Sequence, residues 1–210
     1  MELQDHGKSW ANIMTLLNKI SNIFKRKEET FDIVDTDIRI LKNEFNSSNY
    51  IEEGSISEFP TIVSLSNYDV KAAYGLVLLD EITYKNLNGY LTTKLQRSSN
   101  TFTLNKVEKL TLENHKYFIK IEKDFNGILF SFVTDDALFL KDIINLKIQP
   151  PPPWIVTNLE PKDFLFPQGK EEYYWNTFWL RFYGTVDSTE LKRYLSNYDI
   201  PSKWIEYFKN

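Results

Sequence analysis

Residues 117–133, YFIKIEKDFNGILFSFV, decide the fold of this chain. In the first half of this stretch Tyr117, Ile119 and Ile121 alternate with the residues between them, which is the spacing of a strand. Asn126 and Gly127 follow, and this pair readily adopts the two positive φ angles of a type I′ turn, whose twist matches that of paired strands. Residues 128–133 form a second apolar run. The stretch therefore predicts an antiparallel hairpin with Asn126 and Gly127 at its turn.

On the N-terminal side of the hairpin, the spacing of apolar residues changes from helical to strand-like. Residues 9–28 and 35–46 carry apolar residues at steps of three and four, which predicts two helices. The first helix could bind a membrane surface or a partner, or it could pack into the core. The run at 72–79 is too short to separate a helix from a buried strand. Short strand candidates lie at 61–65, 101–104 and 109–112.

Beyond the hairpin, helical signals return. Asp135 and Asp136 suit the start of a helix, because carboxylates favour the positive end of the helix dipole. Asp187 and Glu190 have the spacing of a capping box for a later helix. Helices at both ends of a strand-rich middle predict an α+β fold, with N-terminal helices, a central mostly antiparallel sheet and a C-terminal helical module.

Four consecutive prolines, residues 150–153, divide the chain. A proline run favours an extended rod. Such a rod could be a ligand for an aromatic groove in another protein, or a connector along the surface with Trp154 packed beneath it. We predict two parts, an α+β domain at 1–149 and, at 150–210, a proline connector with an aromatic-rich helical module packed on that domain.

The C-terminal part contains four of the five tryptophans and a predicted helix at 170–183. The spacing of one aromatic stripe predicts the buried face of this helix; its members are Trp175, Phe178, Trp179 and Phe182. Acids and aromatics adjoin this stripe, and tyrosines are enriched among the residues that dominate protein interfaces. We therefore predict an exposed partner-binding face with four members, Glu171, Glu172, Tyr173 and Tyr174.

Composition excludes several kinds of site. The 210 residues include no cysteine, which removes disulfides, thiolate metal sites and cysteine nucleophiles. There are two histidines, and His115 is predicted to lie in a turn between strands. The seven glycines are too far apart for a phosphate-binding loop. We therefore predict no catalytic residues, no metal site and no cofactor.

Charge and hydropathy restrict the classes of binding partner and the cellular location that the sequence predicts. The net charge of −4 argues against nucleic acid as a partner. No run of 18 apolar residues is present, so we expect no membrane insertion. The N-terminus, residues 1–5, is acidic and polar, unlike a signal peptide. These features predict a cytoplasmic protein.

The C-terminal sequence, from PPPPW at 150–154 through EEYYWNTFW at 171–179 to WIEYF at 204–208, resembles uncharacterised bacterial proteins. They are of the kind found beside secreted toxins as immunity proteins. The resemblance covers roughly the last third of the chain, and no functional residue is carried over from it. It implies a non-enzymatic protein that neutralises a cognate toxin by direct occlusion. An acidic rim would steer a basic toxin towards the binding face.

Carboxylate pairs such as Asp80-Glu81 and Asp135-Asp136 leave one enzymatic alternative. Glycoside hydrolysis needs two carboxyl groups flanking the scissile bond, and aromatic side chains could stack on sugars. The alternative is a small carboxylate-dependent hydrolase of glycans such as peptidoglycan. Neighbours in sequence point in different directions, however, so a pair in sequence need not be a pair in space.

Overall fold

A computed structural model of the chain describes residues 37–48, 51, 57–97, 102–157, 160–161 and 168–209. The helix predicted at 9–28 lies outside the described residues. The helices are α1 (Ile38–Glu44), α2 (Glu81–Lys94), α3 (Ala137–Asn145), α4 (Pro153–Val156), α5 (Lys170–Tyr174), α6 (Leu180–Thr185), α7 (Ser188–Leu195) and α8 (Ser202–Lys209). The strands are β1 (Thr61–Ser64), β2 (Ala73–Leu79), β3 (Val107–Leu112), β4 (His115–Asp124) and β5 (Gly127–Thr134). A π-helical turn, Trp175–Trp179, joins α5 to α6.

The five strands form one sheet in the order β1-β2-β5-β4-β3, and every neighbouring pair is antiparallel. The α+β prediction is confirmed. The ambiguous run at 72–79 is strand β2, whose seven residues are all buried. It lacks the alternation of a half-exposed strand because both faces of the sheet are covered at this position.

Helices cover both faces of the sheet, so the molecule has three layers. α2 and α3 pack on one face with Tyr117, Ile119 and Ile121 of β4. The opposite face carries Phe118 and is covered by α1 and by the helices that follow the proline run. The pleat thus divides the apolar residues of one strand between two cores.

Packing across the sheet requires a glycine at position 75, in the middle of β2. It lies directly opposite Phe132 of β5 in the strand register. A Cβ atom at position 75 would come within 2.0 Å of Cζ of Phe132. The missing side chain therefore makes room for the phenyl ring across the strand.

The β4–β5 turn differs from the prediction by one residue. Asp124 pairs with Gly127, so the two central residues are Phe125 and Asn126, each with a φ of 51°. Gly127 serves a different purpose, since a Cβ there would come within 2.6 Å of the Leu79 carbonyl oxygen. A phenylalanine in the left-handed region is strained. Its ring is only 5% exposed in the core of the C-terminal helices, and this packing offsets the strain.

The proline run is a buried connector. All four prolines are buried, which leaves no free rod for the groove of another protein. The hydroxyl of Tyr194 donates a hydrogen bond to the carbonyl of Pro150 at 2.6 Å, and that of Tyr174 to Pro151 at 2.8 Å. The helices beyond the run share one core with the sheet. The domain boundary at residue 149 stays a prediction.

Candidate functional site

The helix at 170–185 places the four predicted partner-binding residues in different surroundings. Its aromatic stripe is buried as predicted, with exposures between 0% and 6%. Tyr173 is 48% exposed, and Glu171 and Glu172 are half-buried. Tyr174 is 0% exposed, so the prediction that it shares an open face with Tyr173 is wrong.

Tyr174 is buried because the C-terminal helix is covered from a second side. Its ring lies 5.9 Å from that of Phe125 and 6.2 Å from that of Phe178, measured between centroids. Its hydroxyl is satisfied by the Pro151 carbonyl, as a buried tyrosine requires. Burial raises the pKa of Tyr174 well above its ordinary value. The wider π turn that follows adds an extra residue to the helical turn and places Phe178 beside the hairpin.

Tyr173 is the exposed aromatic of this region, and the hairpin turn holds it in place. Its ring stacks on Phe125 with an interplanar angle of 12° and centroids 6.1 Å apart. The Lys170 ammonium lies 4.9 Å from the centroid of the Phe125 ring and forms an ion pair with Asp124. The start of the C-terminal helix is therefore clamped to the turn, and Tyr173 is displayed on a rigid support.

A depression of about 360 Å³ lies beside the hairpin turn. It is lined by Glu81, Lys123, Asp124, Phe125, Asn126, Gly127, Ile128 and Lys170. The Asn126 amide donates to the backbone oxygen of Ile155 at 3.5 Å, which joins the turn to α4. Ile155 is 42% exposed. The hairpin turn, α4 and α5 thus meet at one end of the sheet.

A second depression, of about 260 Å³, adjoins α4 and α8. It is lined by Trp154, Thr157, Glu160, Pro161, Pro201, Lys203 and Trp204. Ile205, next to Trp204, is 39% exposed. We call the two depressions, with Tyr173, Ile155 and Ile205, the docking surface. The hydrogen bond from Asn126 to the Ile155 backbone and the contact between the rings of Trp154 and Trp204 connect its parts.

Charged residues of both signs line the two depressions. Lys170 and Lys203 are each paired with a carboxylate. Four carboxylates form no ion pair with any residue that the structure describes; they are Glu81, Glu171, Glu172 and Glu206. Lys123 likewise forms no ion pair with any residue that the structure describes. Glu81 and Lys123 both line the first depression. Glu171, Glu172 and Glu206 are neighbours in sequence of the exposed residues Tyr173 and Ile205.

Asp136, the second member of the Asp135-Asp136 pair, has a structural role. It is 4% exposed and accepts hydrogen bonds from the backbone amides of Leu138 and Phe139 at the start of α3. The Tyr117 hydroxyl donates to its other oxygen at 2.7 Å, and Lys94 lies 3.9 Å away. Burial acts to raise the pKa of Asp136, but these hydrogen bonds and the lysine hold it below its ordinary value.

The carboxylate of Asp135 interacts with a different set of groups. It accepts from the backbone amide of Lys116 at 2.9 Å and from the hydroxyl of Ser48. His115 begins β4 rather than lying in the turn, and its Nδ1 is 3.4 Å from the same carboxylate. The two adjacent carboxylates therefore bind separate groups, as expected for neighbours in sequence.

The lowered pKa of Asp136 predicts a loss of stability in acid. The ionised carboxylate stabilises the fold above its ordinary pKa of 3.8, and this contribution disappears as the pH falls through the lower folded value. Urea unfolding between about pH 5 and pH 2 should show a falling free energy of unfolding. Asp136→Asn keeps an oxygen for the helix cap and should be less stable at neutral pH, with a smaller acid-induced loss. An acid-induced loss as large as that of the parent would exclude Asp136 as its source.

Family models, curated proteins and solved structures yield no match to this chain. Within the described ranges, none of the helices has the length and apolar character needed to cross a lipid bilayer. In the same part of the chain, no three His, Asp or Glu side chains converge in a way that could hold a metal ion.

The sequence pattern does not predict the roles of Phe125 and Ile155 or the cleft between Trp154 and Trp204. The Asn-Gly pair predicts a turn centred on residues 126 and 127, which leaves Phe125 outside the centre of the turn. The proline run next to Trp154 is a partial signal for the cleft, since the connector interpretation packs this indole beneath the run.

Proposed function

We propose that this protein is a non-enzymatic binding protein of the bacterial cytoplasm that neutralises a cognate secreted toxin by covering the toxin's functional surface. The observation that supports the proposal is the docking surface, where an exposed Tyr173, stacked on Phe125, follows the carboxylates Glu171 and Glu172 on one helix. The resemblance of the C-terminal part to immunity-type proteins supports the toxin as the partner.

The apolar part of the docking surface has the character of an interface centre. Tyr173, Ile155 and Ile205 are large side chains with exposures of 39–48%. Exposed apolar patches with a polar rim mark sites of protein interaction. Tyr173 is already stacked on Phe125, so little side-chain entropy is lost when a partner binds.

The carboxylates next to Tyr173 and Ile205 favour a basic partner. Complementary charge raises the rate of encounter and suppresses binding of partners with the same charge. A nuclease or a membrane-active toxin with a basic face would be attracted to the carboxylates of Glu171, Glu172 and Glu206. Occlusion then needs only a stable interface of ordinary size and no chemistry on the toxin.

The test is co-expression with the toxin domain of a secreted protein encoded beside this gene. The proposal expects a stable complex in size-exclusion chromatography and loss of the toxin's activity within that complex. Protection of the toxin's target without a complex would contradict direct occlusion.

In that complex, Tyr173→Ala should weaken binding by about 1–2 kcal/mol or more, as expected for an aromatic side chain at an interface centre. Isothermal titration calorimetry measures the change, and Tyr173→Phe is the matched control because it keeps the stacked ring. The free energy of unfolding should change little in both variants. Unchanged affinity of Tyr173→Ala would place the interface elsewhere.

The hydrolase alternative has one supporting observation, since Glu81 and Asp124 line the same depression beside an aromatic ring. The carboxylate of Asp124, however, is already ion-paired with Lys170. A peptidoglycan-release assay with purified protein tests the alternative, and Glu81→Gln and Asp124→Asn are the relevant variants. Release that both substitutions abolish would favour the enzyme over the binding protein.

A further inference from the structure

Strand β3 lies at one side of the sheet, and among the described residues no strand pairs with its outer edge. The turn that joins it to β4 has Glu113 and Asn114 at its centre, with φ angles of 51° and 70°, as in a type I′ hairpin. Leu112 and His115 flank this turn and lie opposite each other, so they exchange both of their backbone hydrogen bonds. This pair fixes which residues of β3 bond to β4.

Alternate residues of β3 direct their backbone groups away from the sheet. Hydrogen bonding alternates along an antiparallel strand, so the N–H and C=O groups of Val107, Lys109 and Thr111 point outward. In the part of the chain that the structure describes, no backbone group bonds to them from that side. Lys109 and Thr111 are exposed. Such a row of donors and acceptors is a template for a further strand.

The charged side chains of β3 are held by groups of their own chain. Charged residues commonly protect an exposed edge against pairing. Glu108, however, forms an ion pair with Arg97 at 2.5 Å, and the Lys109 ammonium lies 3.5 Å from the carboxylate of Glu44. Leu110, which is half-buried, lies next to them in the middle of the edge.

We propose that β3 pairs antiparallel with β3 of a second copy of this chain, about a two-fold axis that passes through Leu110. Each Lys109 then lies opposite Thr111 of the other copy, and the outward backbone groups of these two residues bond to each other across the axis. The two sheets become one continuous sheet. A two-fold dimer uses the same patch on both copies, which is the commonest arrangement among oligomers.

Charge and strand length select this register. An axis through Lys109 would place two ammonium groups directly opposite each other, and one through Glu108 would do so with two carboxylates, both of which are destabilising. An axis through Thr111 would carry the pairing into the turn at Glu113. An axis through Leu110 brings two apolar side chains together at a pair without mutual hydrogen bonds, where opposite side chains are closest.

Sedimentation velocity over a wide range of protein concentration measures the association, and the expected result is a reversible equilibrium between monomer and dimer. Amide hydrogen exchange followed by NMR locates the interface. Exchange at Lys109 and Thr111 should slow as the concentration rises. Exchange at Glu108 and Leu110 should not change, because their amides already bond to β4, and these two residues are the internal control.

Two substitutions of the exposed Thr111 should change the dimer in opposite directions. Thr111→Glu places a carboxylate opposite Lys109 of the other copy and should strengthen the dimer about 2- to 30-fold, the effect of two symmetric cross-strand charge pairs. Thr111→Lys places like charges there and should weaken it by a similar factor. The dispersion of the NMR signals verifies that both variants are folded.

A third substitution removes an outward donor. Thr111→Pro is compatible with an edge strand, and it deletes one intermolecular N–H in each copy. It should weaken the dimer about 5- to 150-fold, as for loss of two hydrogen bonds. Thr111→Ala is the matched control, because it keeps the N–H group and should associate nearly as the parent does.

A protein that stays monomeric at every concentration would overturn the proposal, as would a dimer in which exchange at Lys109 and Thr111 is unchanged. Weakening by both Thr111→Glu and Thr111→Lys would exclude the register through Leu110. Slow exchange at the edge only after the toxin domain is added would assign β3 to that partner and exclude the second copy. The toxin complex itself is a separate test, because β3 lies outside the docking surface.

Discussion

Replacing Trp179 with alanine is expected to lower the free energy of unfolding by about 3–5 kcal/mol, the range for emptying a buried aromatic site. The indole is 2% exposed in the core beneath the C-terminal helices. Its ring contacts those of Phe182 and Tyr194 at centroid distances of 6.0 and 6.1 Å. Helix, sheet and connector meet in this core, so the cavity cannot close by moving one element. Urea unfolding followed by far-ultraviolet circular dichroism measures the loss.

Tyr173→Ala is the control for this experiment, because it removes an exposed aromatic from the same helix. Its cost should fall near the roughly 0.5 kcal/mol typical of surface changes. A Trp179→Ala variant as stable as the Tyr173→Ala variant would show that the aromatic stripe is not the buried face.

Replacing Tyr174 with alanine is expected to be comparably damaging, with a loss of about 3–5 kcal/mol. The sequence pattern predicts an exposed position for Tyr174, where the same change would be nearly neutral. The structure reverses that expectation, because the ring is 0% exposed and packs on Phe125 and Phe178. Deletion of the phenol also leaves the Pro151 carbonyl without its donor.

Tyr174→Phe separates the two parts of this effect. It keeps the ring and removes only the hydroxyl, so it should cost about 0.5–1.5 kcal/mol, as for loss of one hydrogen bond. The free energies of unfolding of the parent protein and of the Tyr174→Ala and Tyr174→Phe variants, measured under the same conditions, separate the two contributions. A neutral Tyr174→Ala would restore Tyr174 to the binding face and overturn the packing described here.

The features predicted correctly from sequence depend on neighbours along the chain. The hairpin strands follow from alternation between Tyr117 and Val133. The start of α7 follows from the capping box, in which Asp187 accepts from the amides of Thr189 and Glu190. The buried stripe of the C-terminal helix follows from its spacing. Each of these signals is complete within one short stretch of sequence.

The features that were mispredicted depend on contacts between distant segments. Asn-Gly is the better type I′ pair locally, yet Phe125 takes the first central position because its ring has a pocket against Tyr174 and Phe178. Tyr174 in turn is buried because the proline connector and the hairpin turn cover a second side of its helix. The docking surface combines both effects, so no single stretch of sequence could reveal it.

The proline connector also explains how an irregular segment can lie inside the molecule. A buried peptide group normally leaves a backbone donor and an acceptor that both need partners. Proline has no backbone N–H, so each of the four prolines has only its acceptor to satisfy. Two of these acceptors are bonded to the phenols of Tyr194 and Tyr174. An alanine at one of these positions would introduce a backbone N–H group into a segment that has none, and the extended backbone at Pro152 would be less strongly favoured.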